Sequence, residues 1–262
     1  MTHASVGLPL ALALALVPAS AGSSATAPAR PLALTAAPAR LAFRGDGDAT
    51  VRIRNAGTKR VVVEAALAGF ALDLRGRPHV VARVRARSAA PWLTLRPKRF
   101  MLAPHSVAHL RVAARLPTYV EPGDHDALVL LSTRLVARAR VAVRLRLGVV
   151  VLVRAPGTVV RRVQLGPLRV ARRHGTRALE LIVANAGNVT ERLLHVRAVL
   201  SGTATRRHVA TIAAPARELR PRTRGLVEFR LRTRVRGPVT ARVVVHAARG
   251  RPAIRRAYHL RL

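Results

Sequence analysis

The chain has 262 residues with 47 Lys or Arg against 11 Asp or Glu, a formal net charge of +36, and no cysteine. Disulfides and thiolate metal sites are therefore excluded, and each folding unit must hold together by burying apolar area. Half of the residues are apolar but only 3% are aromatic, which argues against a base-stacking platform for single-stranded nucleic acid.

An apolar run from Val6 to Val17 ends at Pro18 and is followed by Ala19-Ser20-Ala21. This pattern predicts a signal peptide over residues 1–21, cut after Ala21. The run is shorter than the roughly twenty apolar residues that a membrane span needs. Residues 22–30, rich in Ala, Ser, Thr and Pro, read as a flexible leader. Cleavage removes no Lys, Arg, Asp or Glu, so the mature 241 residues (262 − 21) keep the whole charge. The chain is thus expected at the cell surface, in the cell wall or outside the cell, with no transmembrane helix in its mature part. A bacterial envelope that does not rely on disulfides suits this composition.

Beyond the leader the dominant period is two, the period of a strand. In Ala139-Arg-Val-Ala-Val-Arg-Leu-Arg-Leu147 the odd positions are apolar, and Arg138, Arg140, Arg144 and Arg146 share the other face. Similar ladders occur at Arg52 and Arg54, at Arg83, Arg85 and Arg87, and at Arg230, Arg232, Arg234 and Arg236. One face in a core and one in water is the mark of antiparallel sheets. The breaks are turn chemistry: Gly45-Asp-Gly-Asp48, Asn55-Ala-Gly57, Pro122-Gly123, Arg173-His-Gly175 and Asn185-Ala-Gly-Asn188. Val149 to Val153 reads as a buried strand, and no stretch after the signal peptide keeps a helical period.

The chain is also written twice. Val51-Arg-Ile-Arg-Asn-Ala-Gly57 recurs as Leu181-Ile-Val-Ala-Asn-Ala-Gly187. Each copy is followed by a Pro turn (Pro104, Pro221), an alternating strand (Leu110–Leu116, Val227–Thr233) and a Pro/Gly pair opening another strand (Pro122-Gly123, Gly237-Pro238). The same order with unequal loops predicts two domains of one kind. The fold class expected is all-β, with two tandem immunoglobulin-like β-sandwich domains at residues 31–147 and 148–262.

No catalytic, cofactor-binding or metal-ligating set is predicted. In Asp124-His125-Asp126 two carboxylates alternate with a histidine, but no HxH, HExxH or Cys spacing supplies further ligands. The segment reads as the polar start of a strand after a Pro-Gly turn. His105-Ser106 and His109 read as a turn and an outward strand face, since no Gly-x-Ser-x-Gly elbow frames the serine. Asn188-Val-Thr190 reads as loop residues flanking a turn. Asn55 and Asn185 read as left-handed turn positions. Trp92, the one tryptophan, reads first as packing at the edge of a core and second as a platform for a sugar ring.

Pro91-Trp-Leu-Thr-Leu95, Leu102-Ala-Pro-His-Ser106, Pro122-Gly-Asp-His125 and the link Arg144-Leu-Arg-Leu-Gly-Val-Val-Val-Leu-Val-Arg-Ala-Pro-Gly157 carry a resemblance. Over residues 31–262 the chain resembles the bacterial cell-surface family that partners WxL proteins, whose first domain is described as peptidoglycan-binding. The resemblance implies two immunoglobulin-like domains, the first related in fold to periplasmic pilus chaperones, and no catalytic residues. Members of the family end in a transmembrane helix and a basic tail, whereas this chain stops at Tyr258-His-Leu-Arg-Leu262.

The expected function is that of a non-enzymatic, exported envelope protein recognising an anionic cell-wall polymer, peptidoglycan or a surface protein partner through arginine faces and strand edges. Arg83, Arg85, Arg87, Trp92, Arg138, Arg140, Arg144 and Arg146 are the candidate polymer-binding residues. The alternative is a chaperone-like assembly factor, which requires an apolar edge strand and a groove for a donor segment. Nucleic-acid binding ranks below both, because charge alone favours it and an export signal opposes it.

Overall fold

Alternation of apolar and charged side chains along the strands builds two β-sandwiches in the computed structural model, which describes residues 33–81, 87–135, 145–173, 176–232, 236–247 and 251–262. The signal peptide, the leader, Arg83, Arg85, Arg138, Arg140, Arg144, Arg234 and the His174-Gly175 turn lie outside the described residues.

The first sandwich faces two sheets together. One runs in the order β1 (Leu34–Ala37), β3 (Gly47–Asn55), β8 (Val107–Ala114) and β6 (Leu93–Arg96). The other runs β2 (Arg40–Arg44), β10 (Arg146–Ala155), β9 (Gly123–Leu135), β4 (Val61–Leu72) and β5 (Pro78–Val81), with β7 (Arg99–Leu102) pairing the start of β4. Neighbours in the sheets are seldom neighbours in sequence, the crossing order of an immunoglobulin-like sandwich. Each strand pairing is antiparallel except that of β2 with β10. In β3, Val51 and Ile53 are buried against Leu110, Leu131 and Val151, while Arg52 and Arg54 face water. The period of two read from the sequence is therefore the inside–outside period of the sheet.

The second sandwich sets β11 (Val163–Arg173), β12 (Thr176–Asn185) and β17 (Thr223–Arg230) against β15 (His208–Ala214), β14 (His195–Gly202), β18 (Pro238–His246) and β19 (Ile254–Arg261). The short pair β13 (Glu191–Leu193) and β16 (Arg217–Leu219) closes one corner. Leu179, Leu181, Leu200, Phe229 and Val243 form a core separate from the first. Burying a large aliphatic or aromatic side chain contributes roughly 1.5–3 kcal/mol, so each half can stand without covalent crosslinks. Among the described residues no helix is long and apolar enough to cross a membrane.

The structure corrects two expectations. The domain join does not fall at 147/148. That point lies inside β10, whose partners β9 and β2 both belong to the first sandwich, so the first sandwich extends to Ala155. The physical reason is the burial of Val149, Val151 and Val153, which close the first core. Nor are Asn55 and Asn185 left-handed: among the described residues the non-glycine ones with positive φ are His105, Arg206 and Arg222. Each asparagine is instead a buried pin at the end of its strand. Asn55 Nδ2 donates to the carbonyls of Lys59, Leu102 and Ala103, and Asn185 Nδ2 to those of Val189 and Leu219. Both Oδ1 atoms accept a bond from the N–H two residues on, Gly57 or Gly187. A buried amide must find such partners, and the repeated Asn-Ala-Gly thus marks the same pin in both sandwiches.

Candidate functional site

An open strand edge is the first feature with interaction chemistry. β10 pairs with β9 along its whole length, but β2 covers its other side only from Val150 to Arg154. Leu145 faces β9, since the Thr133 N–H donates to its carbonyl at 2.9 Å. Backbone direction alternates along a strand. The N–H and C=O of Arg146 and Gly148 therefore point to the outer side, as those of Val150 and Arg154 do where they meet Ala39 and Gly45. Among the described residues no strand pairs with Arg146–Val149 on that side. Leu145 and Leu147, half-buried against the first core, flank the opening.

The start of β9 has a different role. Asp124, His125 and Asp126 sit at the junction of the two sandwiches. The Asp124 carboxylate accepts two bonds from the Arg154 guanidinium, at 2.6 and 2.9 Å, and a third from the Thr190 N–H at 2.7 Å. Burial works against this charge, but the Arg154 and Thr190 donors outweigh it and hold the carboxyl below the ordinary aspartate range. Asp126 pairs with Arg220 at 2.7 Å, and the Arg220 guanidinium also lies 3.7 Å above the Phe70 ring. Burial lowers the Arg220 pKa, with Asp126 opposing. Both ring nitrogens of His125 contact backbone carbonyls, Arg87 at 3.0 Å and Glu121 at 2.7 Å, and its ring tilts onto Trp92 with centroids 4.5 Å apart.

Asn188 ties the junction together. Its amide donates to the carbonyls of Pro122 and Thr158 and accepts from the Val160 N–H, while its own carbonyl accepts from the Asp124 N–H at 2.8 Å. Gly123, with φ +121°, makes this approach possible, because a Cβ there would lie 2.2 Å from the Asn188 carbonyl oxygen. Arg40 with Glu218, Arg75 with Glu180 and Glu228, and Arg222 with Glu121 add further cross-domain ion pairs. Of the 11 acidic residues, Glu121, Asp124, Asp126, Glu180, Glu218 and Glu228 all lie here. A groove of about 1150 Å³ opens beside the junction, between the β4–β5 hairpin and β15 to β17, with Leu72, Ile212, Leu226 and Arg230 on its walls. There Leu74 of the hairpin accepts from the Leu226 N–H at 2.6 Å and from Arg217 at 2.7 Å, while burial lowers the Arg217 pKa.

Three of the candidate polymer-binding residues are described. Arg87 is exposed but paired with Glu121 at 2.8 Å, and Trp92 packs on the first core and His125. Arg146 is exposed at the open half of β10. His125 lies opposite Val153 and Ser132 opposite Arg146 in the β9–β10 ladder. At about 3.4 Å per residue these positions are roughly 24 Å apart, so the three do not converge. Neither His105 nor Ser106 forms a nucleophile site: His105 takes a turn with φ 60°, and the Ser106 hydroxyl donates to Ala103 at 2.8 Å. Among the described residues no group of three metal-ligating side chains occurs. Sequence reasoning missed Asn188, Arg154, Arg220 and Arg222 as junction residues; their partners lie 28 to 101 positions away, beyond any local pattern.

No family model matches the chain, and no curated protein matches it. Among solved structures it is similar to the YadV chaperone (9% identity, 87% of this chain and 99% of that chain, TM-score 0.48). It is also similar to the class 5 fimbriae chaperone CfaA (9%, 86% and 98%, TM-score 0.49) and to the Pseudomonas aeruginosa CupB2 chaperone (15%, 87% and 100%, TM-score 0.42).

Proposed function

We propose that this chain is a non-enzymatic, exported binding protein that takes up an extended segment of another exported protein by strand addition along the open half of β10, as a chaperone-like assembly factor does. The observation that carries the reading is the uncovered edge at Arg146–Val149, with two outward N–H and two outward C=O groups. Unpaired edges recruit strands because main-chain bonds give affinity while alternate side chains give selectivity. Leu145 and Leu147 offer a half-exposed apolar layer that a partner's alternate residues would complete. The ion-paired junction keeps the two sandwiches in one orientation and so presents this edge on a firm support.

The test is titration of the chain from Gly22, which holds both sandwiches whole, with extended peptides of alternating apolar and polar residues, read by hydrogen exchange at Arg146 and Gly148. Saturable binding with slowed exchange at both amides is expected. A Gly148→Pro variant removes one outward donor while leaving the β9 ladder its bonds, and should weaken binding about tenfold. Equal binding by this variant, or peptides that protect other amides only, would reject the reading.

A further inference from the structure

The outer face of the second sandwich is charged on one principle throughout. β14, β15, β18 and β19 contain no Asp or Glu. Val196, Ala198 and Leu200 of β14 and Val239, Ala241, Val243 and Val245 of β18 turn inward. The alternate positions turn outward, and the registers place Arg197 beside Val244, Val244 beside Arg255, and Arg242 beside Ala257. Arg197 and Arg255 thus stand two strand spacings apart, about 10 Å, with Arg242 about 7 Å along β18 between them. Arg261, His195 and His259 extend the exposed set. Among the described residues none of these four arginines has an ion pair, whereas the junction arginines do. Cations at this spacing lie within a Debye length of one another at ordinary ionic strength, about 10 Å, so an opposite charge is favoured over them.

We infer that the β14–β18–β19 face docks the protein onto an anionic lipid membrane surface. Its shape selects that occupant. The face is a sheet plane, and the groove beside the junction lies off these three strands, along β15 to β17. A plane of arginines matches a plane of lipid phosphates, whereas a single polymer strand is better held in a groove. Among the described residues none of the large exposed apolar side chains, such as Met101, Tyr119 and Val159, lies on this face. Attachment is therefore peripheral and electrostatic, without insertion, and reversible by salt. It is independent of strand addition, which uses the other sandwich.

The experiment is co-sedimentation of the chain from Gly22 with vesicles of phosphatidylcholine, with and without phosphatidylglycerol, at low and high salt. Binding is expected only to the anionic vesicles, and it should be lost at high salt. Removing three arginines together, Arg197→Gln, Arg242→Gln and Arg255→Gln, should lower the partition about a hundredfold, at about fivefold per cation. The matched Lys triple variant should retain binding. A control with the same loss of charge on the first sandwich, Arg52→Gln, Arg54→Gln and Arg96→Gln, should bind as the parent does. Circular dichroism melting of each variant establishes that it folds. Equal loss in both Gln triples would overturn the proposal in favour of diffuse net charge. Binding to soluble polyphosphate with none to vesicles would overturn the lipid surface as the occupant.

Discussion

The junction between the sandwiches and the outer face of the second are made from the same arginine-rich composition and behave as opposites. At the junction, guanidinium groups meet carboxylates, aromatic rings and carbonyl oxygens, and each charge is held at a fixed distance. On the β14–β18–β19 face no carboxylate is within the three strands, and the arginines stand in water. The difference teaches that the excess of basic over acidic residues is not spread evenly. With so few acids, gathering six of them at one joint leaves the far face without partners. A buried, hydrogen-bonded pair gives geometry; an unpaired exposed array gives a long-range field.

That contrast can be broken first at Asp124. Asp124→Ala leaves the partly buried Arg154 guanidinium without its carboxylate, and equilibrium urea denaturation should register a loss of about 3 kcal/mol. Gly123→Ala ranks next, because the added Cβ meets the Asn188 backbone and the φ of +121° disfavours any side chain. A cost of about 2 kcal/mol is expected in the same assay, together with faster amide exchange at Asp124 and Thr190. Asn185→Ala tests whether the repeated pin matters as much as the joint, and stranding the carbonyls of Val189 and Leu219 should cost about 2 kcal/mol.

Acid sharpens the comparison further. The folded Asp124 carboxyl titrates below its unfolded value, so its stabilising contribution is fully present above the ordinary aspartate value, about 3.9. It is lost as pH falls through the depressed folded value. Melting curves of the parent should therefore fall toward those of Asp124→Asn as pH drops below about 4. Variants of the outer face should show the smallest effect: Arg242→Gln should change stability by no more than about 0.5 kcal/mol, with a slight gain where repulsion is relieved. A loss above about 1 kcal/mol would show that the face is held by contacts and not simply exposed.

The strand faces were legible from sequence because burial on one side and water on the other impose a period of two on the residues themselves. Ile53 against Arg54 and Val243 against Arg242 are two instances. The duplication was legible too, since two copies of one sandwich need the same pin, and Asn-Ala-Gly supplies it at Asn55 and Asn185. The domain join was misplaced because Arg146–Gly148 reads like a link, and only its pairing with β9 and β2 shows it to be the closing strand of the first core. Arg87 and Trp92 look like a binding surface in a linear reading. In three dimensions Glu121 and His125 occupy them.

By itself, then, the sequence determined the all-β class, the two-fold repetition, the inward and outward side of most strands, and the excess of positive charge. Those follow from short-range alternation and composition. Tertiary structure alone decided which edge is left open, which arginines are neutralised and which face remains bare. Such outcomes depend on partners far apart in the chain, as in Arg75 with Glu228 across 153 positions and Arg40 with Glu218 across 178. Long-range pairing of this kind leaves no periodic trace in a sequence, because each partner is chosen by the geometry of the fold and not by its neighbours.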